Sequence, residues 1–203
     1  QNIYNSVEKL KNDFEEKLRI ADVYENLKKT ANGEIVSDNS KITFERYIMG
    51  SYFEQVLYYA NLRFSKMTGG RYEIVRGESR DKRISAGLEI SVRDNFNNKE
   101  RDISSLSGGE SFQASLALAL GLSDIIQQRN GGIRLDSIFI DEGFGSLDND
   151  SLASAIETLN DLTGNGNRLV GIISHISELK NSIGNKIEVV GTKSGSSIKI
   201  ITD

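Results

Sequence analysis

The sequence predicts an α/β chain: a mainly parallel sheet flanked by helices, a region of antiparallel strands, and a long helix at the amino end. Three observations carry this. From about residue 106 onward, helical stretches alternate with near-continuous apolar segments, as in a parallel sheet covered on both faces. Between residues 71 and 103 the segments are short and alternate apolar with polar, separated by charged and Asn-rich turns. Before residue 68 the apolar residues recur at helical spacing.

Taken in order, Ile3, Val7, Leu10 and Phe14 follow a 4-3-4 spacing, and Leu18, Ala21 and Tyr24 continue it with a slip. This predicts an amphipathic helix, read either as a surface helix or as the end of a coiled coil, over residues 1–30. Asn32-Gly33 and "SDNSK" interrupt the pattern. A second helix is expected from Thr43 to Met67, with Phe44, Ile48, Tyr52, Val56, Tyr59 and Leu62 on one face and Thr68-Gly69-Gly70 ending it. "RYEIV" and "GLEISVRD" read as antiparallel strands. A helix to about Gln128, a Gly131-Gly132 turn, the strand "DSIFI", a helix over Asp150 to Leu162 and the strand "RLVGII" follow. A short helix near residues 176–182 and the strands "KIEVV" and "SIKII" complete the chain.

Composition removes several function classes. There is no cysteine, so disulfide frameworks, thiolate metal sites and sulfur redox chemistry are excluded, which suits a cytoplasmic protein. No apolar run approaches the ~20 residues that span a bilayer, so no membrane role is expected. The net charge of -4 argues against binding nucleic acid over the whole surface, although a local basic patch would still serve. Arg71, Arg76, Arg80, Lys82 and Arg83 form such a cluster, interrupted by Glu73, Glu78 and Asp81, and a solvated strand edge explains it as well. The chain starts at Gln1 inside a helical pattern, and a fragment of a longer protein is expected.

The chemistry-bearing residues gather at predicted element ends. Ser137-Ile138-Phe139-Ile140 runs as a buried strand into Asp141 and Glu142, at the carboxyl edge where open α/β sheets bind ligands. Neighbours on a strand face opposite ways, so the two acids are assigned different tasks: one to hold hydrated Mg²⁺, the other to orient or deprotonate a water. An acidic exit from a strand is the ordinary alternative. Gly143-Phe144-Gly145-Ser146-Leu147 then delivers Asp148, which equally well caps the next helix. His175, the sole histidine, follows another apolar strand and would meet the acids at one sheet edge.

"LSGGE", residues 106–110, opens a helix. Ser107 and Glu110 satisfy a capping box, but Gly108 and Gly109 add nothing to capping and cost helix stability. They supply bare amide groups at the positive end of a helix, which an anion such as phosphate can approach closely. A phosphate site, a Mg²⁺ acid, a base and a histidine suggest a nucleoside triphosphatase. The G-x-x-x-x-G-K-[ST] loop occurs nowhere in these residues, so the nucleotide would be held mainly by another polypeptide segment.

These motifs resemble those of ABC-type ATPases: "LSGGE" their signature, "SIFIDE" their Walker B strand, "GSLD" their D-loop and Ser174-His175 their switch histidine. Within that class, "LSGGESFQASLALALGLSDIIQ", "GGIRLDSIFIDEGFGSLD", "ISHISELK" and "ANLRFSKMTGGRYEIVR" are similar to the carboxyl-terminal part of the SbcC family, ATPase subunits of SbcCD-type nucleases and relatives of SMC proteins. The resemblance implies that residues 1–30 are the end of a coiled coil and 31–203 the carboxyl-terminal lobe of an ATPase head, its P-loop lying in an amino-terminal lobe of the same long chain. It implies Asp141 for Mg²⁺, Glu142 as base, His175 at the γ-phosphate or attacking water, and Asp148 linking the site to its partner. Ser107, Gly108, Gly109 and Glu110 would reach ATP bound on the opposite head of a homodimer.

The family also implies that a nuclease subunit docks near the coiled-coil base and that ATP hydrolysis gates the processing of DNA double-strand breaks. The same motifs admit an SMC-type protein that tethers DNA without a nuclease, or a transporter ATPase. "DEGFGSLD" favours the first reading, and the amino-terminal helix with no P-loop counts against the last. Isolated, the chain is expected to bind ATP poorly and to hydrolyse none.

Overall fold

A computed structural model describes residues 2–34, 43–77, 88–129, 135–166, 168–192 and 195–202. The "SDNSK" break, the Gly131-Gly132 turn and the basic residues Arg80, Lys82 and Arg83 lie outside these residues.

Helix α1 spans Asn2–Ala31 and leaves its apolar stripe open: Ile3, Val7, Leu10, Phe14 and Leu18 are all exposed. Helix α2 spans Phe44–Met67 and begins as its sequence predicts, with the Thr43 side chain accepting from the Arg46 N–H at 3.3 Å. It ends where Gly69 and Gly70 turn left-handed and the Gly70 N–H returns to the Ser65 carbonyl at 2.7 Å. The face it buries only partly matches the expected one, with Val56 buried as expected. Leu57, Ala60, Phe64 and Met67 enter the core, while Phe44, Tyr52 and Leu62 are exposed. Apolar residues run almost all round α2, so periodicity alone does not select the buried side; contact with the next long helix does.

Strands β1 (Tyr72–Arg76) and β2 (Ile90–Asp94) pair antiparallel as expected, with Ile74 opposite Val92, and β3 (Lys99–Asp102), a charged segment without a strand pattern, extends the sheet with Asp94 opposite Lys99. Asn61 on α2 fastens this sheet. Its side chain donates to the Ile74 carbonyl and accepts from the Ile74 N–H, both at 2.8 Å, doing for the sheet edge what another strand would do. Three arginines here are ion-paired: Arg76 with Glu54, Arg71 with Asp94, and Arg93 with both Glu73 and Glu100.

Helix α3 (Gly108–Arg129) and helix α4 (Asn149–Gly166) bury small and branched residues against α2: Ala114, Ala117 and Leu120 from one, Leu152, Ala155 and Leu159 from the other. Between them runs β4 (Ser137–Asp141), paired parallel to β5 (Leu169–Ile173) with Asp141 opposite Ile173. This pair is the parallel sheet of the expectation, but it carries cover on one face only among the described residues. Ile138, Ile140, Val170 and Ile172 pack on the core, whereas Phe139, Leu169 and Ile173 are more than half exposed.

Helix α5 (Ser177–Ser182) leads to β6 (Lys186–Thr192) and β7 (Gly195–Ile201). These last strands pair antiparallel, with Thr192 opposite Gly195. So short a link closes a hairpin, while a parallel pair needs a crossover of a dozen residues or so.

Candidate functional site

The carboxyl edge of β4 and β5 brings together the residues expected there. Asp141 is the last residue of β4, and Glu142 follows with a left-handed backbone, φ +57°, its N–H held by the Ile173 carbonyl of β5 at 2.9 Å. A non-glycine residue in that conformation is strained and persists only where its surroundings fix it. The turn throws the Glu142 carboxylate toward the end of β5, where His175 Nδ1 lies 3.0 Å from Oε2 and 3.2 Å from Oε1. Both side chains face solvent, at 81% exposure for His175 and 48% for Glu142.

Asp148 caps α4. Its Oδ1 accepts from the Ser151 N–H at 2.8 Å, and this bond, reinforced by the Ser151 side chain, holds its carboxyl below the usual carboxylate range. Between Glu142 and Asp148 the chain makes a tight turn in which the Ser146 hydroxyl donates to the Gly143 carbonyl at 3.0 Å.

The "LSGGE" turn is a complete capping box. Glu110 Oε2 accepts from the Ser107 N–H at 2.9 Å, and Ser107 Oγ accepts from the Glu110 N–H at 3.3 Å. Its two glycines do different things. A Cβ on Gly109 would stand 2.8 Å from the Ser146 carbonyl oxygen, so Gly109 is required by packing of this helix against the turn after β4. A Cβ on Gly108 would meet only the Ser146 Cβ at 3.5 Å, an ordinary contact. The bare backbone predicted for an approaching anion therefore belongs to Gly108, since the Ser107 N–H is taken up by Glu110 and Ser107 offers its hydroxyl.

Two residues without any mark in the sequence brace this turn. Arg101 of β3 donates through Nη1 to the Ser105 carbonyl at 2.7 Å and its hydroxyl at 2.9 Å, and through Nη2 to the Tyr72 hydroxyl at 3.2 Å. Tyr72 in turn hydrogen-bonds Glu110, and burial followed by that carboxylate pushes its phenol up. Burial also raises Glu110, but the Ser107 N–H, the Tyr72 hydroxyl, the Ser107 side chain and the charge of Arg71 outweigh it and hold the carboxyl below its ordinary range. No local signal marks Tyr72 or Arg101, because their partners lie far along the chain.

A helix start with free backbone amides, an acid at a strand end and an acid–histidine pair at the next strand, on one layered α/β lobe, define half of an SMC-like head of ABC-type architecture. Solved structures agree on the fold. One, described under ATP-driven dimerization and DNA stimulated activation of SMC ATPases, superposes with a TM-score of 0.58 at 16% identity over 77% of this chain and 89% of its own. The Smc head domain with an extended coiled coil from Pyrococcus furiosus gives 0.55 at 18% identity, over 78% of this chain and 37% of its own.

The family model for the SbcC/RAD50-like Walker B motif matches residues 78–161. The chain is 49% identical over 173 residues to the SbcC component of nuclease SbcCD from Vibrio cholerae serotype O1, covering 85% of this chain and 17% of that protein. It is 55% identical over 153 residues to the same component from Staphylococcus epidermidis, covering 75% of this chain and 15% of that one. The chain belongs to the SbcC/RAD50-like family, and it spans about one sixth of the length of the relatives it matches.

Proposed function

We propose that this chain is the signature-bearing lobe of an ATPase head in an SbcCD-type nuclease complex. The observation that carries the reading is the Glu142–His175 pair at the carboxyl edge of β4 and β5, with the braced signature turn packed on the loop that follows it. Exposed acid and histidine suit a site completed from outside. Glu142 orients and deprotonates the attacking water, His175 fixes Glu142 and reaches the water or terminal phosphate, and Ser107 with Gly108 presents hydroxyl and amide groups to the γ-phosphate of ATP on a facing head.

The donor set fits Mg²⁺. Among the described residues no group of three or more His, Asp or Glu is arranged to hold an ion, and Mg²⁺ takes one or two carboxylates together with substrate phosphates. Asp141 is the carboxylate that would hold it. When bound, Mg²⁺ neutralises charge building on the phosphate oxygens.

The remaining pieces follow from this reading: a P-loop lobe of the same long chain holding most of the nucleotide, an ATP-joined homodimer of heads, and a nuclease partner near the base of a coiled coil that ends in α1. The substrate is DNA. An SMC-type tether without a nuclease is less well supported, since identity reaches 49–55% with nuclease components against 16–18% with SMC heads.

The test uses this lobe together with a P-loop lobe. Glu142→Gln should arrest turnover and accumulate an ATP-dependent dimer by light scattering, and Ser107→Arg should prevent that dimer. Parent-like turnover by Glu142→Gln would sink the reading.

A further inference from the structure

Phe112 lies on α3 one turn beyond the signature glycines, and its ring lies against the backbone of Gly143, the residue after Glu142. Gly143 has φ +97°, and a Cβ built there would fall on that ring, 2.5 Å from Cδ2. The same ring meets Phe144 edge-on, with centroids 4.8 Å apart and planes at 61°, and Phe144 is 1% exposed. Glu142 and Gly143 are thus consecutive left-handed residues, and one aromatic side chain from the signature helix packs directly on the second. At the other end of the contact, Gly109 closes on the Ser146 carbonyl.

From this geometry we infer that Phe112 is a positioning residue: it holds the Glu142–Gly143 turn in its strained form, keeps the Glu142–His175 pair aligned, and ties that pair to the signature turn of the same chain. The physical basis is steric. The turn accepts strain to aim Glu142 away from its strand direction, and a rigid flat neighbour blocks the backbone from relaxing. With Phe112 in place, a shift of the signature helix and a shift of the Glu142 turn are one movement. The inference rests on the catalytic reading of Glu142 proposed above.

A double-mutant cycle in the full-length protein tests it, reading kcat and KM for ATP beside the melting temperature. Phe112→Ala should lower kcat about tenfold or more with KM changed less than about twofold, because a misaimed base impairs the chemical step and not nucleotide binding. Phe112→Leu, which keeps apolar volume, should fall between parent and Ala and serves where Phe112→Ala is poorly folded. Gly143→Ala should lose kcat steeply in the parent, and at least about fivefold less steeply once Phe112 is Ala or Leu, since part of its penalty is collision with the ring.

Additive losses across the cycle, or a parent-like kcat for Phe112→Ala, would overturn the inference. Glu142→Gln runs beside it as the control: if that variant turns over like the parent, the reading of the site fails and takes this inference with it. If it is dead while the cycle is additive, the site reading stands and only Phe112 loses its role.

Discussion

At the scale of single residues, Glu110 joins structure to the site. It closes the capping box of α3 while accepting from Tyr72, so its charge stabilises the signature turn twice. Its folded carboxyl titrates below the ordinary range. The stabilisation is therefore full above that range and is lost only as the pH falls through the lowered value. Glu110→Gln should abolish that acid-side dependence while keeping part of the cap, and thermal melts carried from neutral pH down through and below the ordinary carboxylate range would reveal it. Tyr72→Phe removes the hydroxyl that both Arg101 and Glu110 use, and a loss of about 1 kcal/mol in denaturant unfolding is expected. A Tyr72→Phe lobe as stable as the parent would show the brace to be energetically idle. Much of the site was legible in sequence because each of its residues sits at an element end marked by its own neighbours: Asp141 and Glu142 after "SIFI", His175 after "LVGIIS", Ser107 and Glu110 three apart. Tyr72, Arg101 and Phe112 were not legible, since their roles come from chain segments that meet only after folding.

Element boundaries were readable for a similar reason. Thr43, the Gly69-Gly70 pair and Ser107 each carry their own cap chemistry, and α2 starts and stops, and α3 starts, where those residues put them. Which face of α2 is buried was not readable, because the decision belongs to the crossing of α2 and α3. Gly121 sets that crossing: a Cβ there would come within 2.7 Å of both the Ala60 nitrogen and the Val56 carbonyl oxygen, backbone atoms that cannot swing aside. Gly121→Ala should therefore destabilise by about 1–3 kcal/mol, although alanine is the better helix former by nearly 1 kcal/mol. Chemical denaturation would measure it, and a stabilised Gly121→Ala would mean that the crossing has room to open. The fixed spacing matters to the site as well, since α3 carries the signature turn at its start and buries Leu116 and Leu120 against the same core as α2.

At the scale of the whole molecule, the two sheets at the carboxyl end present apolar side chains that the described chain leaves uncovered. Phe139, Leu169 and Ile173 lie on the open side of β4 and β5, and the pairs Ile187–Ile200 and Val189–Ile198 line one face of the last hairpin, each residue more than half exposed. So much outward apolar surface marks an interaction face. On the proposed reading, an amino-terminal P-loop lobe covers part of it, which would make the expected two-face cover of the parallel strands a property of the assembled head. Burying these side chains is worth about 25 cal/mol per Å². The isolated chain should accordingly bind a hydrophobic dye and self-associate with rising concentration, and adding the P-loop lobe should suppress both. Phe139→Ser with Leu169→Ser should lower dye binding by the isolated chain and weaken capture of the P-loop lobe, leaving the helical signal of α2, α3 and α4 in place because neither side chain enters their core. If the double variant captured the P-loop lobe as tightly as the parent, that lobe would sit elsewhere and this face would answer to a different partner.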